Sequence, residues 1–255
     1  MPEPRETDLL RDSMKVIITM AGEGARFRKV GFKEPKFKLV VQGKAMFDWA
    51  LSTLENFYQY PFVFVARKEH NCRKFIEGHC KSLGIKEFHV KEIDYLTKGQ
   101  AATVLEAGEF IEDSDEILVY NIDNYVDPKA LHPEQIRGDG WVPAIELEGD
   151  KWSFVECDKN GNVSRVTEKD RISPYASIGL YYFKSYALYK RVYEQKDLHN
   201  LREEYIAPLY NGLIRQGLKV TTTIVPSDSM RALGTPEDIL AFWPEFKKQI
   251  DAVAH

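Results

Sequence analysis

A glycine-rich stretch with a nearby arginine follows the first apolar run of the chain (residues 16–18). Gly22, Gly24 and Arg26 fall within the segment AGEGARF (21–27). Glycine lets backbone N–H groups approach an anion closely, and a planar guanidinium can bind phosphate oxygens. The segment therefore predicts a loop that binds phosphate, although glycines after a strand can also serve only the turn.

A second polar group follows another apolar run, residues 117–120. Asn121 and Asp123 come directly after it, and a carboxylate at the end of a strand can hold Mg²⁺. Asp123 could equally lie in a solvated turn or cap a helix. Because the carboxyl ends of parallel strands meet at one edge of a sheet, we expect Asp123 to lie on the same edge as the glycine loop.

The apolar pattern of the sequence predicts the strands and helices that hold these residues. In the first half, four apolar runs alternate with stretches of helical period: 16–20, 62–66, 88–90 and 117–120. This alternation predicts a parallel, doubly wound α/β sheet. From Trp141 onwards the pattern changes to short strands, with a hairpin around Asn160-Gly161, one strand at 173–183 and one at 220–225. Helices are predicted at about 203–216 and 236–252, and we expect both halves to share one continuous sheet.

The bulk composition limits the classes of partner. Of the 255 residues, 35 are Lys or Arg and 39 are Asp or Glu, a net charge of −4. No global basic field is available for nucleic acid or an anionic membrane. There is neither an apolar run of membrane-spanning length nor a signal-like N-terminus, so we expect a cytoplasmic protein. Cys72, Cys80 and Cys157 are expected to be reduced, and a homo-oligomer is left open.

The spacing of the first motif does not fit a Walker loop or a dinucleotide fingerprint. AGEGARF, followed by Pro35-Lys36 and then Gly43-Lys44, instead resembles the signature of the sugar-phosphate nucleotidyltransferases, the nucleoside-diphosphate-sugar pyrophosphorylases. The resemblance covers residues 15–240. It implies a Rossmann-like, doubly wound, mixed but mainly parallel sheet with helices on both faces. We expect a single domain over 1–255, with a nucleotide-binding half at about 15–140 and an acceptor-binding half at about 141–255.

The resemblance also implies roles for particular residues. It suggests that Arg26 holds the departing pyrophosphate, Lys36 the α-phosphate and Asp123 the Mg²⁺ ion. Residues implied to contact the nucleotide are Ala21, Gly22, Gly24, Gly99, Gln100 and Asn121. Gln100 could hydrogen-bond to the edge of the base, since an amide both donates and accepts. For Gly99, a tightly packed helix N-terminus is an equal alternative.

An acceptor site is implied by the resemblance at Glu168-Lys169, which precede the segment SPYASIGLYYF (173–183). Lys169 would bind the acceptor phosphate, Glu168 would accept hydrogen bonds from hydroxyl groups, and Gly179 would line the site. A Glu-Lys pair of this kind can also be a solvated surface pair.

The chain departs from better-known members at its closing motif RALGTPEDI (231–239). Those members carry a second metal-binding aspartate two residues before the glycine, and here that position is Ala232. Asp228 is a candidate substitute, although it could simply belong to the turn at 226–228. The motif also has the features of a helix start, with Thr235 as the cap before Pro236.

Together these features predict nucleotidyl transfer: an acceptor phosphate attacks the α-phosphorus of a nucleoside triphosphate and pyrophosphate leaves, in nucleotide-sugar and polysaccharide biosynthesis. The base stays open, as does the acceptor, which could be a sugar-1-phosphate, phosphocholine or another phosphorylated alcohol. Two alternatives remain. A glycosyltransferase of the related fold predicts an Asp-x-Asp pair, which Asp123 lacks, and a non-catalytic nucleotide-sugar-binding subunit would explain Ala232.

Overall fold

The computed structural model describes residues 14–195 and 203–253. Within these residues the strands, in chain order, are β1 (Met14–Met20), β2 (Val40–Val41), β3 (Lys44–Ala45), β4 (Phe62–Arg67), β5 (Phe88–Ile93), β6 (Glu116–Asn121), β7 (Asn124–Val126), β8 (Gly140–Trp141), β9 (Ala144–Glu146), β10 (Ser153–Cys157), β11 (Val163–Glu168), β12 (Tyr175–Ser177), β13 (Leu180–Phe183), β14 (Val220–Thr221), β15 (Ile224–Val225) and β16 (Met230–Ala232). The α-helices of the same residues are α1 (Ala25–Lys29), α2 (Met46–Ser52), α3 (Arg73–Leu83), α4 (Gln100–Leu105), α5 (Tyr186–Glu194), α6 (Tyr210–Arg215), α7 (Pro236–Phe242) and α8 (Lys247–Val253).

The larger sheet has seven strands in the order β14-β8-β13-β6-β1-β4-β5. Its half made of β6, β1, β4 and β5 is parallel throughout, as the alternation of apolar runs predicts. β13 joins antiparallel to both β6 and β8, and β14 lies parallel to β8. The predicted mixed, mainly parallel sheet is therefore confirmed.

Helices cover both faces of this sheet. Successive side chains of a strand point to opposite sides, so a strand that is apolar throughout must be covered on both faces. Val16 and Ile18 of β1 pack in a cluster with α2 and α3, whereas Ile17 packs with α4, α5 and α6 on the other face. All three side chains are fully buried. A third apolar cluster joins Phe27 of α1 to Ile239 of α7 and thereby ties the glycine loop to the C-terminal segment.

The second half of the chain continues this sheet only through β8, β13 and β14, so the expectation of one continuous sheet for both halves is wrong. A separate five-stranded sheet has the order β11-β10-β12-β9-β15 and contains the predicted hairpin, β10 and β11. Three segments cross from one sheet to the other: β8 to β9, β12 to β13 and β14 to β15. Pro143, which has no N–H to donate, lies in the first crossing, and Gly179, with φ +83°, lies in the second. The segments 173–183 and 220–225 are thus each two strands.

The last two predicted helices are shorter than their apolar pattern suggests. In 203–216, the α-helix is α6 alone, preceded by a 3₁₀ turn at Ala207–Leu209. In 236–252, Pro244 interrupts the helix between α7 and α8, since a proline cannot donate to the preceding turn. None of the helices in 14–195 and 203–253 combines the length and apolar character that crossing a membrane requires.

The three cysteines are free thiols. Burial raises the pKa of the Cys72 thiol to about 11 and that of the Cys80 thiol to about 12. The thiolate is the reactive form, so both side chains are chemically quiet at neutral pH. This agrees with the structural role predicted for them.

A buried hydroxyl fixes the chain just beyond β6, where Asp123 lies. Thr53 follows α2 and is fully buried; its Oγ1 accepts a hydrogen bond from the backbone N–H of Val126 at 2.9 Å. The Tyr120 hydroxyl lies 3.2 Å from the same oxygen and 2.7 Å from the carbonyl oxygen of Asn124. These contacts hold β7 against α2 and so determine where Asp123 emerges.

We expect Thr53→Val, which keeps the shape and removes the hydroxyl, to lower the free energy of unfolding by about 1–3 kcal/mol, because a buried N–H loses its partner. Urea unfolding followed by circular dichroism measures the change. The control Thr53→Ser keeps the hydroxyl and should lose only the contribution of one methyl group, about 0.8 kcal/mol. A Thr53→Val protein as stable as the wild type would contradict this role.

Candidate active site

The register between β1 and β6 brings the two sequence motifs to one edge of the sheet. These neighbouring strands run parallel, and Thr19 near the end of β1 pairs with Asn121 at the end of β6. The glycine loop follows β1 and Asp123 follows β6, so both leave the sheet at its carboxyl edge. Gln100 joins this edge, since its side-chain amide donates to Thr19 Oγ1 at 3.1 Å.

The glycine loop is open on its outer side. Gly24 has φ +63°, and its carbonyl oxygen accepts hydrogen bonds from the N–H groups of Phe27 and Arg28 at the start of α1. A Cβ atom added to Gly22 or Gly24 would meet nothing within 4 Å. Arg26 is exposed in α1. The backbone of the loop and the arginine are therefore accessible to an anionic ligand.

Lys36 and Asp123, which are far apart in the chain, form an ion pair. Lys36 opens a 3₁₀ turn at Lys36–Lys38, which buried Phe37 anchors, and its Nζ donates to Asp123 Oδ1. The Lys36 side chain is 18% exposed and that of Asp123 39%. The structure thus brings together the predicted α-phosphate and metal residues at the edge of the glycine loop.

A cleft of about 340 Å³ opens at this edge. Four of the predicted residues line it: Arg26, Asn121, Asp123 and Gly179. Its other wall comes from the acceptor half and from α7, including Lys151, Trp152, Ser153, Ser177 and Asp238. Sequence reasoning missed Lys151, Ser153 and Ser177 as site residues because they sit in short strands and turns without a spacing signal.

Gly179 is held where only glycine fits. Besides its positive φ, a Cβ atom at this position would overlap the side-chain amide of Asn121. The backbone N–H of Asn121 donates to the Gly179 carbonyl oxygen at 3.2 Å. The Oδ1 atom of Asn121 is buried and has no hydrogen-bond partner among the described residues. This amide oxygen lies beside Asp123, and a hard cation binds ligand oxygens of this type.

Glu168 and Lys169 lie beside the cleft but are not among the residues that line it. Glu168 accepts a hydrogen bond from Ser153, which does line it, and burial raises the pKa of the Glu168 carboxyl above its ordinary value. Lys169, at φ +56°, donates from Nζ to the Tyr205 hydroxyl at 2.5 Å. Burial acts to lower the pKa of Lys169, but the Tyr205 hydrogen bond and neighbouring negative charge outweigh it and raise that pKa.

Gly99 lies against backbone rather than against open space. Its φ is +155°, and an added Cβ would lie 2.5 Å from the backbone N and O atoms of Glu204. The N–H of Glu204 donates to the Lys98 carbonyl, and the N–H of Ala101 donates to the Glu204 carbonyl. This close packing accounts for the glycine without a ligand.

The structure also locates the candidates for a second carboxylate. Ala232 pairs with Asn124 in the β16–β7 ladder, whereas Asp228 is exposed beyond the other end of β16 and does not line the cleft. Asp238 does line it, with Thr235 capping its helix as predicted. No cluster of three or more His, Cys, Asp or Glu side chains suited to a metal occurs within residues 14–195 and 203–253.

The overlap of a Cβ atom at position 179 with Asn121 predicts a large loss of stability when Gly179 is replaced. Gly24→Ala and Gly179→Ala both place Ala at positive φ, which costs about 1–2 kcal/mol, but only Gly179→Ala also collides with Asn121. We expect Gly179→Ala to lower the free energy of unfolding at least about twice as much as Gly24→Ala. The double variant Gly179→Ala/Asn121→Ala should recover part of that loss in urea unfolding. Equal losses in the two single variants would contradict the assignment.

Comparison with known proteins identifies the family of this chain. A family model described as nucleotidyl transferase matches residues 15–240. The chain is similar to the nucleoside-diphosphate-sugar pyrophosphorylase from Vibrio cholerae RC9, with 29% identity and a TM-score of 0.83 over 89% of this chain and 98% of that one. No curated protein matches the chain.

A more distant structure shares the fold. The inositol-1-phosphate CTP transferase from T. maritima has 17% identity and a TM-score of 0.71, over 95% of this chain and 97% of that one. The resemblance carried by AGEGARF and Pro35-Lys36 and the fold that it implies are both confirmed. The chain belongs to the nucleotidyl transferase family, and it is a nucleotidyltransferase enzyme.

Proposed function

We propose that this enzyme couples a nucleoside triphosphate to a small phosphorylated acceptor, such as a sugar-1-phosphate, and releases pyrophosphate with the help of Mg²⁺. The observation that carries the proposal is that Arg26, directly after the open glycine loop, and Asp123, the partner of Lys36, line the same cleft. The Vibrio cholerae structure, named as a nucleoside-diphosphate-sugar pyrophosphorylase, supports the same reaction class.

On this proposal the enzyme acts by positioning and charge neutralisation. Backbone N–H groups at Ala21, Gly22 and Gly24 bind the triphosphate, and Arg26 holds the pyrophosphate as it departs. Lys36 passes from Asp123 to the α-phosphate, where its ammonium offsets the charge that develops during attack. The acceptor phosphate oxygen attacks the α-phosphorus in line, so no side-chain nucleophile is needed.

The base and the acceptor would lie on either side of that centre. Gln100, whose side-chain amide donates to Thr19 at the sheet edge, would contact the base, and Gly99 would shape the start of α4 beside it. On the acceptor side, Gly179, which packs against Asn121, lines the cleft. Glu168, hydrogen-bonded to Ser153, would act on acceptor hydroxyls through that serine, and we propose that Lys169 contributes positive charge there.

The residues present fit a hard divalent cation. Asp123 offers a partly exposed carboxylate, and the unpartnered Asn121 Oδ1 is a neutral oxygen ligand of the kind that such a cation accepts. Asp123 and Asn121 would hold Mg²⁺. When bound, Mg²⁺ would neutralise phosphate charge and so reduce the repulsion between nucleotide and acceptor.

The family assignment favours this reaction over glycosyl transfer and over a non-catalytic role. We also propose that the enzyme works in the cytoplasm, where nucleoside triphosphates are abundant, and that it supplies activated sugars for polysaccharide synthesis.

An activity screen tests the reaction directly: common nucleoside triphosphates are combined with sugar-1-phosphates, phosphocholine and other phosphorylated alcohols in the presence of Mg²⁺. Pyrophosphate should appear with one pairing. Release of a nucleoside diphosphate from a nucleotide sugar, with no pyrophosphate formed by any pairing, would instead establish glycosyl transfer.

We expect Lys36→Ala and Asp123→Ala each to abolish most of the pyrophosphate release while leaving the melting temperature nearly unchanged. A partly exposed ion pair contributes only about 1 kcal/mol or less to stability. Lys38→Ala is the matched control, because Lys38 lies in the same 3₁₀ turn but donates to the carbonyl oxygen of His70. Full activity in either site variant would remove that residue from the mechanism.

A further inference from the structure

The acceptor wall of the cleft carries a lysine that the predicted site does not use. Lys151 lies in the turn between β9 and β10, and it lines the cleft together with Arg26 and Asp123. Arg26 and Lys151 are the two cationic side chains among the described residues that line it. Arg26 comes from α1 and Lys151 from the acceptor half, and both line the same cleft.

Lys151 is held in this place by a rigid carboxylate. Its Nζ lies 2.6 Å from Asp238 Oδ1 and 4.6 Å from the centre of the Trp152 ring. Asp238 is fixed at the start of α7, where its backbone N–H donates to Thr235 Oγ1 at 3.0 Å and the neighbouring Ile239 is fully buried. The Asp238 side chain is only 13% exposed, whereas that of Lys151 is 55% exposed. The anchor is therefore rigid and the ammonium can move.

The predicted acceptor cation, Lys169, is placed differently. Its Nζ donates to the Tyr205 hydroxyl and lies 3.7 Å from Glu168, and it does not line the cleft. A phosphate that attacks from the acceptor side needs a cation within the cleft, because the triphosphate already brings several negative charges there. Lys151 meets that requirement, since an ammonium on a flexible stem has three donors that can turn towards a phosphate.

We propose that Lys151 binds the phosphate of the acceptor and that Asp238 is the positioning residue that holds its ammonium in the cleft. This inference rests on the proposed nucleotidyl transfer and names a residue that selects a phosphorylated acceptor. Asp238 would be left behind when the ammonium turns to the phosphate, and the pair would re-form after product release.

The test uses the active pairing of triphosphate and acceptor from the screen. We expect Lys151→Gln to raise the KM for the acceptor on the order of tenfold or more and to leave the KM for the triphosphate within about twofold. Lys151→Arg should retain most of the activity. Asp238→Asn should raise the acceptor KM by a smaller factor, and it should add nothing further in the Lys151→Gln background, since it acts through the lysine.

Lys190 supplies a closely matched control. Its Nζ lies 2.5 Å from Asp113 and 5.1 Å from the centre of the Tyr186 ring, and it does not line the cleft. Lys190→Gln therefore removes the same kind of pair and should leave both KM values unchanged. An unchanged acceptor KM in Lys151→Gln would overturn the proposal. A lowered acceptor KM would also overturn the proposal, because it would show that Lys151 occupies a pocket that binds a cationic group of the acceptor.

A binding measurement separates this proposal from the proposed function. Inorganic phosphate is titrated calorimetrically into the wild type, Lys151→Gln and Lys190→Gln, each saturated with pyrophosphate to fill the site proposed around Arg26. Weaker phosphate binding in Lys151→Gln alone supports the proposal even if the wild type shows no turnover with any pairing. The same binding in all three proteins refutes it, whether or not the enzyme releases pyrophosphate.

Discussion

The parallel pairing of β1 with β6 positions both sequence motifs of the candidate active site. Their register sets Thr19 opposite Asn121, so the chain leaves both strands at the same edge and at nearly the same height. A shift of one residue would turn every side chain of a buried strand to the wrong face, and both faces of this sheet are packed against helices. Packing therefore fixes the register, and the register fixes the distance between the glycine loop and Asp123.

The second half of the chain contacts that edge of the sheet directly. β13 pairs with β6, and Gly179 at its start lies directly against Asn121. The chain segments that cross between the two sheets place the smaller sheet over the end of the larger one, with a cleft at the junction. The apolar cluster of Phe27 and Ile239 joins α1 to α7 and brings Asp238 to the same cleft. Sheet pairing and this cluster together position the residues that line it.

Two ion pairs lie in or beside the cleft. Lys36 pairs with Asp123 and Lys151 with Asp238. Such pairs keep the cations in place without a ligand, and they are exposed enough that phosphate oxygens and a divalent cation can compete for their members. Each lysine would then meet a phosphate while its former partner meets a cation or water.

Much of the nucleotide half could be predicted from the sequence because its signals are local. Apolar runs give the parallel strands, and the loop AGEGARF follows the first of them. The acceptor half is harder, because Gly179 ends one strand and begins another in a different sheet, which the continuous apolar pattern of 173–183 conceals. Lys151 and Ser153 reach the cleft only through the hairpin and the pairing of β9 with β12, and no spacing within the sequence encodes those contacts. For Gly99 the sequence left ligand contact and tight packing equally open, and its packing against Glu204 accounts for the glycine.

In the proposed reaction, the acceptor phosphate attacks the α-phosphorus of the triphosphate. Turnover with an acceptor whose terminal phosphate oxygens are labelled with oxygen-18, followed by mass spectrometry of both products, shows where those oxygens go. We expect all of the label in the nucleotide-linked product and none in the pyrophosphate. Label in the released phosphate species, or a product without labelled oxygen between the two phosphorus atoms, would contradict it.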